Sequence, residues 1–334
     1  MADEAGLLIQ NEYSVWTGDN WHGPENQVHF DANEMIREYT EWMRDNCNHP
    51  SVVIWDANNE TRDPMFGDRI IPAVRGLDLS NRPWENSYNP PVGRDDPVED
   101  HPYEFQSMAD GGPAFSMTTF EKPGGMQPSR ATDHAMILNE YGWLWLNRDG
   151  SPTELTRTLY PRLLGSHDTT DERRSLDAYL LAGITEYWRA YRRYAGVLHF
   201  VYLTSCEPGG YTCDNFRDPE KLELDPDFRD YMSNAFAPLG VNLSFWHTTL
   251  AAGESVRLPV MLTNDEPHAV TGKLSVLLQS PAGSNVARTD MSFAVDAFAG
   301  RTYIVELTIP RVSGAFTLQA AAGGAQSRRR VTVQ

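Results

Sequence analysis

Six short apolar runs, separated by longer and more polar segments, occupy residues 6–203. Their β-branched and aromatic residues are typical of strands, and the segments between them include amphipathic helical patterns. Strands that alternate with helices predict βα units around a parallel sheet. The six predicted strands are residues 6–12, 51–57, 82–88, 96–103, 135–141 and 196–203.

Two helices are predicted between these strands. Over residues 32–47, Met35 or Ile36 lies on one side with Tyr39, Met43 and Cys47. This helix should end before His49-Pro50, because proline disfavours helix for the residue that precedes it. The other helix is "SLDAYLLAGITEYWRAYRRY", residues 175–194, whose apolar residues recur every three or four positions.

The pattern changes near residue 239, after which apolar and polar residues alternate strictly. The alternation covers residues 256–262, 274–278 and 303–309, with turn signals between them. A period of two predicts half-buried strands. We therefore predict an α/β domain over residues 1–238 and an immunoglobulin-like β-sandwich over residues 239–334.

The net charge of -18 is confined to the first part of the chain, since residues 1–239 carry 20 basic against 40 acidic side chains. Such acidity argues against nucleic acid as a partner. No apolar run approaches the length of a membrane span, so no membrane partner is predicted. The basic run 328–330 lies in an alternating segment and is interpreted as a solvated strand face.

The three cysteines do not make a disulfide framework. Cys206 and Cys213 could close the loop "CEPGGYTC" or remain reduced, and the sequence leaves both open. The first residues have no signal-peptide pattern. No localisation is assigned.

Polar residues that follow the predicted strands are the candidates for chemistry, because sites on parallel barrels lie at the carboxyl ends of strands. Glu60 and Glu140 each follow an asparagine at such an end. Two converging carboxylates among tryptophan and tyrosine rings are what glycoside hydrolysis requires. Helix capping or a structural ion pair would also account for a glutamate at either position.

Two segments resemble glycoside hydrolase family 2, the β-galactosidase, β-glucuronidase and β-mannosidase family of the retaining (β/α)8 clan. "NHPSVVIWDANNE" is similar to its fourth-strand motif and "ILNEYGW" to its seventh-strand nucleophile segment, with 80 residues between the glutamates. "ADEAGLLIQNE", "IIPAVRGLDLSNRPW" and "FWHTTLAAGESVRLPVMLTNDE" extend the resemblance to most of the chain.

The resemblance implies a retaining glycosidase with the roles of Glu60 and Glu140 divided. Glu60 would be the general acid/base, with its pKa raised by the charge of Glu140, and Glu140 the nucleophile. Asn59 would hydrogen-bond the hydroxyl beside the anomeric carbon. Tyr103, or alternatively His101, would approach the nucleophile from strand six.

Further residues near the predicted strand ends are candidate substrate contacts. Asn11, Glu12, Trp16, Trp143 and Tyr202 are the members of this set. A tryptophan could stack on a sugar ring or pack inside the protein. Glu12 is expected to bind a sugar hydroxyl or to orient its neighbours.

A complete barrel of this clan has eight strands, whereas the sequence predicts six. The resemblance therefore implies a (β/α)8 TIM-barrel-type domain that lacks its first two strands, with an open edge where an N-terminal segment or another subunit could dock. The alternative function is a carbohydrate-binding or interaction protein without activity. No cofactor or metal site is predicted, and the acidity favours neutral sugars over uronic acids.

Overall fold

The computed structural model describes residues 1–16, 30–130, 132–207 and 209–334. The chain forms two compact units, each built from several segments. The first unit comprises Met1–His101, Ser129–Asn139 and Tyr194–Leu198, and the second comprises Pro102–Pro128, Glu140–Arg193 and His199–Gln334. The predicted boundary between residues 238 and 239 lies inside the second unit.

The first unit contains two three-stranded parallel sheets. One consists of β1 (Ile9–Glu12), β2 (Val52–Asp56) and β3 (Trp84–Glu85), and the other of β4 (Val98–Asp100), β5 (Met136–Leu138) and β6 (Gly196–Val197). Each of the six predicted strands contains one of these strands, so the prediction of parallel strands is confirmed. The observed strands are shorter than the predicted runs.

Helices of the first unit are α1 (Ala2–Ala5), α2 (Ala32–Asn46) and α3 (Ile71–Val74), the last preceded by a π-helix over Phe66–Ile70 and followed by a 3-10 helix over Arg75–Leu77. Asp31 caps the N-terminus of helix α2, and its carboxylate accepts hydrogen bonds from the amides of Asn33 and Glu34, both at 2.9 Å. Tyr39 and Met43 of α2 are buried against Trp55 and Trp84 of the sheet.

The second unit begins with a helical part. Its helices are α4 (Gln106–Ala109), α5 (Leu159–Leu164), α6 (Thr170–Tyr191) and α7 (Pro226–Ala235), with 3-10 turns over Met117–Glu121, Glu154–Thr156 and Gly165–His167 and a hairpin of β7 (Phe216–Asp218) and β8 (Glu223–Leu224). Cys206 and Cys213 are joined by a disulfide bond, which resolves the alternative that the sequence left open.

The rest of the second unit consists of two sheets that share one core. The strands are β9 (Leu239–Leu243), β10 (Thr249–Leu250), β11 (Ser255–Asn264), β12 (Val270–Gln279), β13 (Asn285–Val295), β14 (Gly300–Thr308), β15 (Gly314–Ala322) and β16 (Ala325–Val333). Their order is β10-β16-β15-β12-β13 in one sheet and β14-β11-β9 in the other. Alternate residues such as Leu258, Val260, Leu274 and Val276 fill the core.

Arg329 contradicts the interpretation of residues 328–330 as a solvated face. Its side chain is 2% exposed, and its guanidinium lies 2.8 Å from a carboxylate oxygen of Glu186 and 3.8 Å from the ring centre of Trp246. Alternation along β16 places Arg329 on the same face as the buried Val331 and Val333. Its position in the strand, and not its charge, therefore determines that its side chain is buried.

Among the residues that the structure describes, no helix combines the length and the apolar character needed to cross a membrane.

Candidate active site

Glu60 follows β2 at the edge where the three parallel strands of its sheet end. The amide of Ala57 still donates to the carbonyl of Glu85 at 3.0 Å, and the amide of Asn59 donates to the carbonyl of Val15 at 2.8 Å. Glu60 itself has φ 47°, in the left-handed region. This conformation costs a residue other than glycine about 1 kcal/mol or more, so surrounding contacts must hold Glu60 in place.

Two side chains contact the carboxylate of Glu60. The hydroxyl of Tyr88 donates to Oε1 of Glu60 at 2.9 Å, and Nδ1 of His101 lies 3.1 Å from the same oxygen. Tyr88 and His101 also contact each other, at 3.0 Å. One carboxylate oxygen is thus fixed by two groups, which defines the position of Glu60.

The other ring nitrogen of His101, Nε2, lies 3.1 Å from Oε2 of Glu99. A neutral imidazole has a single N–H group, so it can donate a hydrogen bond to Glu60 or to Glu99 but not to both. His101 can therefore donate to both carboxylates only as an imidazolium. Glu99 is held in turn by the hydroxyl of Ser87 at 2.7 Å and the amide nitrogen of Asn139 at 2.9 Å. These contacts orient the imidazole toward Glu60.

The electrostatics of Glu60 differ from the expectation. Burial raises the pKa of the Glu60 carboxyl, but hydrogen bonds from His101, Tyr88 and Trp16 outweigh it, and the net pKa is lowered. The expected raised pKa is therefore wrong for Glu60. In Glu12, by contrast, partial burial and the negative charges of Glu99 and Glu60 raise the pKa to about 7.

The remaining predicted residues of the first unit lie around the same strand ends. Trp16 is 45% exposed and forms a β-bridge with Asn59. Together with its hydrogen bond to Glu60, this places an accessible indole beside the carboxylate. Asn11 lies opposite Trp55 in the sheet, and its amide nitrogen is buried without a partner among the described residues.

Glu140 belongs to the second unit, where it is buried and accepts a hydrogen bond from the hydroxyl of Tyr103. Of the two alternatives predicted for this position, Tyr103 contacts Glu140, and His101 contacts Glu60 and Glu99 instead. The ring of Tyr103 lies edge-to-face on Trp143, with 4.8 Å between ring centres, and on Trp145, with 5.6 Å.

The segment after Glu140 is fixed by a buried carboxylate. Glu104 accepts hydrogen bonds from the amide of Gly142 at 2.8 Å and from the indole of Trp188 at 2.9 Å. Gly142 has φ 97°, and a Cβ there would lie 2.9 Å from Leu181, so glycine suits both the backbone and the space. The turn at Gly142 places the ring of Trp143 against that of Tyr103.

Trp143 and Trp145 are buried, and their indole nitrogens donate to the carbonyls of Leu155 and Phe200, each at 3.1 Å. Both rings support Tyr103 here, and a substrate contact for Trp143 stays a prediction. Tyr202 is exposed and packs edge-on against Phe216, 5.2 Å between centres. Its proposed role at the sugar site also stays a prediction.

Sequence reasoning missed Tyr88, Glu99 and Glu104. Tyr88 and Glu99 lie inside two of the predicted strands, and a charged or phenolic side chain within a buried run is the signal that could have identified them. Tyr88 lies 28 residues from Glu60 in the sequence and Glu99 lies 40 residues from Asn139, and alternation along one strand does not reveal such contacts.

Comparison with known proteins finds no matching family model and no matching curated protein. Among solved structures, β-glucuronidase 2 of Bacteroides uniformis is 13% identical over 100% of this chain and 40% of its own, with a TM-score of 0.45. A Listeria innocua β-glucosidase is 19% identical over 29% and 16% of the two chains, with a TM-score of 0.25. A Pseudomonas fluorescens alkylpurine DNA glycosylase is 14% identical over 32% and 34%, with a TM-score of 0.24. The chain thus spans less than half the length of each of these proteins.

Proposed function

We propose that this chain is the catalytic portion of a retaining β-glycoside hydrolase related to family 2, with Glu140 as nucleophile and Glu60 as acid/base. The observation that carries the proposal is the buried carboxylate of Glu140 under the hydroxyl of Tyr103. A carboxylate nucleophile must be ionised to attack, and a hydroxyl that donates to a buried carboxylate favours its ionised form.

Glu60 must be protonated when the leaving oxygen departs, although its resting pKa is lowered. The proton can come from His101, whose Nδ1 lies 3.1 Å from Oε1 of Glu60. Transfer from the imidazolium leaves a neutral His101 and a carboxylic acid, which then protonates the glycosidic oxygen. Glu60 as carboxylate afterwards activates the water that hydrolyses the glycosyl-enzyme intermediate.

Asn59 and Trp16 are assigned to substrate binding. The exposed indole of Trp16 can stack on a sugar ring, and Asn59, adjacent to Glu60, can donate to the hydroxyl next to the anomeric carbon. Tyr103 orients the nucleophile Glu140 through the hydrogen bond from its hydroxyl. Asn11 and Glu12 complete the polar edge, with Glu12 available as a second proton-bearing carboxyl near neutral pH.

The mechanism requires the carboxyls of Glu60 and Glu140 to face the same sugar about 5 Å apart. In the proposed arrangement the six strands of the first unit belong to a (β/α)8 barrel. A neutral β-glycoside is the proposed substrate class, because the acidic composition of residues 1–239 disfavours uronic acids.

Hydrolysis of a panel of nitrophenyl β-glycosides tests the proposal. Glu140→Gln should lower kcat/KM by at least about 1000-fold. Glu60→Gln should instead lower kcat by about 100-fold or more, because nitrophenolate leaves without an acid but the attacking water still needs the base. The matched control Glu254→Gln, on the exposed rim of the C-terminal sheets, should change neither. Azide should rescue Glu60→Ala with retained configuration and Glu140→Ala with inverted configuration. Equal activity of all variants would contradict the assignment.

A carbohydrate-binding protein without activity is the second candidate function, favoured by the lowered pKa of Glu60. A carboxylate that stays ionised accepts hydrogen bonds from sugar hydroxyls and is a poor acid. Calorimetric binding of a β-glycoside to the unmodified protein, with no nitrophenol released from any member of the panel, would establish this function in place of hydrolysis.

A further inference from the structure

Three carboxylates meet inside the first unit, and the mechanism above uses none of them to transfer a proton. Asp56 and Glu85 are 0% exposed and Glu99 is 2% exposed. One oxygen from each lies within 4.8 Å of the others. The sheet register brings them together, since Asp56 of β2 lies directly opposite Glu85 of β3. Like charges opposite one another destabilise a sheet, so this pairing needs compensation.

The contacts of these carboxylates do not supply that compensation. Glu99 has an ion-pair partner, His101, but no cationic side chain pairs with Asp56 or Glu85 among the described residues. Apart from each other and the backbone amide of Ser87, which lies beside Glu85, no partner is found among the described residues for the oxygens of Glu85 or for Oδ1 of Asp56. Burying an unpaired carboxylate costs several kcal/mol.

Three amide side chains of the first unit also have oxygen atoms that are buried without a partner among the described residues. Gln10 donates its amide nitrogen to Asp56 at 2.7 Å and Asn139 donates to Glu99 at 2.9 Å, while the carbonyl oxygens of both amides are buried without a partner. Asn58, two residues after Asp56, is fully buried with neither amide atom bonded in the described part of the chain. The unused atoms are thus mostly oxygens, which is the ligand set of a hard cation.

We propose that Asp56, Glu85 and Glu99 bind a divalent cation, with Ca²⁺ preferred over Mg²⁺. A cation of two charges offsets most of the three carboxylate charges. Ca²⁺ takes six to eight oxygens in flexible geometry, which suits carboxylates and amide carbonyls from five separate segments, whereas Mg²⁺ demands a near-ideal octahedron and keeps its waters. Thiolate or imidazole ligands, which softer metals prefer, are absent from this group of three.

The cation would act as a positioning element. Glu99 contacts His101 at 3.1 Å, and His101 contacts Glu60, so the cation fixes the carboxylate that orients the imidazole. Residues that hydrogen-bond a catalytic or metal-binding side chain from its other side fix the orientation of that side chain. The cation site does not depend on the glycosidase proposal, because its binding can be measured without any substrate.

Chelator-treated protein gives the direct test. Addition of Ca²⁺ at a hundredfold excess over its Kd should raise the Tm by roughly 3 to 5 °C. Terbium bound at the site should emit on excitation of tryptophan, because Trp55 and Trp84 directly precede Asp56 and Glu85, and Ca²⁺ should compete it off. A shift produced by Mg²⁺ and not by Ca²⁺ would overturn the preference.

Glu85→Gln should abolish both the Tm shift and the terbium emission. The matched control is Asp177→Asn, which changes another buried carboxyl with an unpartnered oxygen, in the second unit, and should retain both signals. If Glu85→Gln does not fold, the unmodified protein still decides the question. Absence of any cation-dependent Tm shift there would mean that Asp56 and Glu85 are held by protons, and would overturn the proposal.

Discussion

Replacement of Tyr88 by phenylalanine tests whether the network around Glu60 sets its protonation. The variant removes the hydroxyl that donates to Oε1 of Glu60 at 2.9 Å and leaves the ring, which lies edge-to-face on His101 with 5.4 Å between centres. A hydrogen bond to a charged group contributes about 1.5–3 kcal/mol. Since Glu60 keeps some exposure to water, the lower value applies.

A loss of about 1.5 kcal/mol corresponds to roughly one pKa unit, because each unit is 1.36 kcal/mol. The hydroxyl lowers the pKa of Glu60 by stabilising its carboxylate, so its removal must raise that pKa. In the proposed mechanism Glu60 and His101 share one proton, and activity is lost when the pair gives up that proton as pH rises. A Glu60 carboxylate that binds the proton more tightly keeps it in the pair to higher pH, so the alkaline limb of kcat/KM should move upward, by at most about one pH unit.

The assay is the pH profile of kcat/KM on a β-linked disaccharide, whose leaving oxygen requires protonation, for the unmodified protein, Tyr88→Phe and Tyr211→Phe. Tyr211 is an exposed tyrosine of the second unit and serves as the control for loss of a phenolic hydroxyl. An alkaline limb that stays in place in Tyr88→Phe, or moves equally in Tyr211→Phe, would refute the reasoning that links Tyr88 to Glu60.

Three further predictions concern stability. Arg329→Met leaves the buried Glu186 unpaired and should lower the free energy of unfolding in urea by about 3–5 kcal/mol, against less than about 1 kcal/mol for the exposed Arg330→Met; equal losses would contradict the buried pair. Reduction of the Cys206–Cys213 bond should lower stability by about 2 kcal/mol, seen as a lower Tm in dithiothreitol, and an unchanged Tm would exclude the bond. Burial lowers the pKa of His199 to about 4, below its unfolded value of 6.5, so the unfolded chain takes up the proton first. Stability is complete above pH 6.5 and falls toward pH 4 by at most about 3 kcal/mol, and His199→Phe should flatten that dependence in unfolding measured at both pH values.

The six strands were predictable from sequence because their signal is local. A run such as residues 51–57 carries its own β-branched and aromatic composition, and no distant residue is needed to recognise it. Arg329 was equally predictable, since the period of β16 aligns it with Val331 and Val333, and the error came from giving its charge more weight than its position.

The contacts of Glu60 were not predictable in the same way. Tyr88 and His101 reach one oxygen of Glu60 from two other segments of the first unit, which depends on strand register and on the left-handed turn at Glu60. Resemblance to a family identified the two glutamates as candidates. It could not indicate that His101 joins Glu60 to Glu99, because this depends on side-chain placement.

Variants of Glu85 and Glu99 distinguish two proposed effects of the cation in the first unit, which are stabilisation of the sheet and orientation of His101. Both are proposed cation ligands, but only Glu99 also contacts His101. If the cation merely holds the sheet together, Glu85→Gln and Glu99→Gln should lower the Tm and the activity alike. If Glu99 also orients the imidazole, Glu99→Gln should lower kcat/KM about 10-fold further than Glu85→Gln, at equal folded fraction, because a charge-assisted contact of about 1.5 kcal/mol is lost in addition. Equal kcat/KM of the two folded variants would show that His101 does not need Glu99 to act on Glu60.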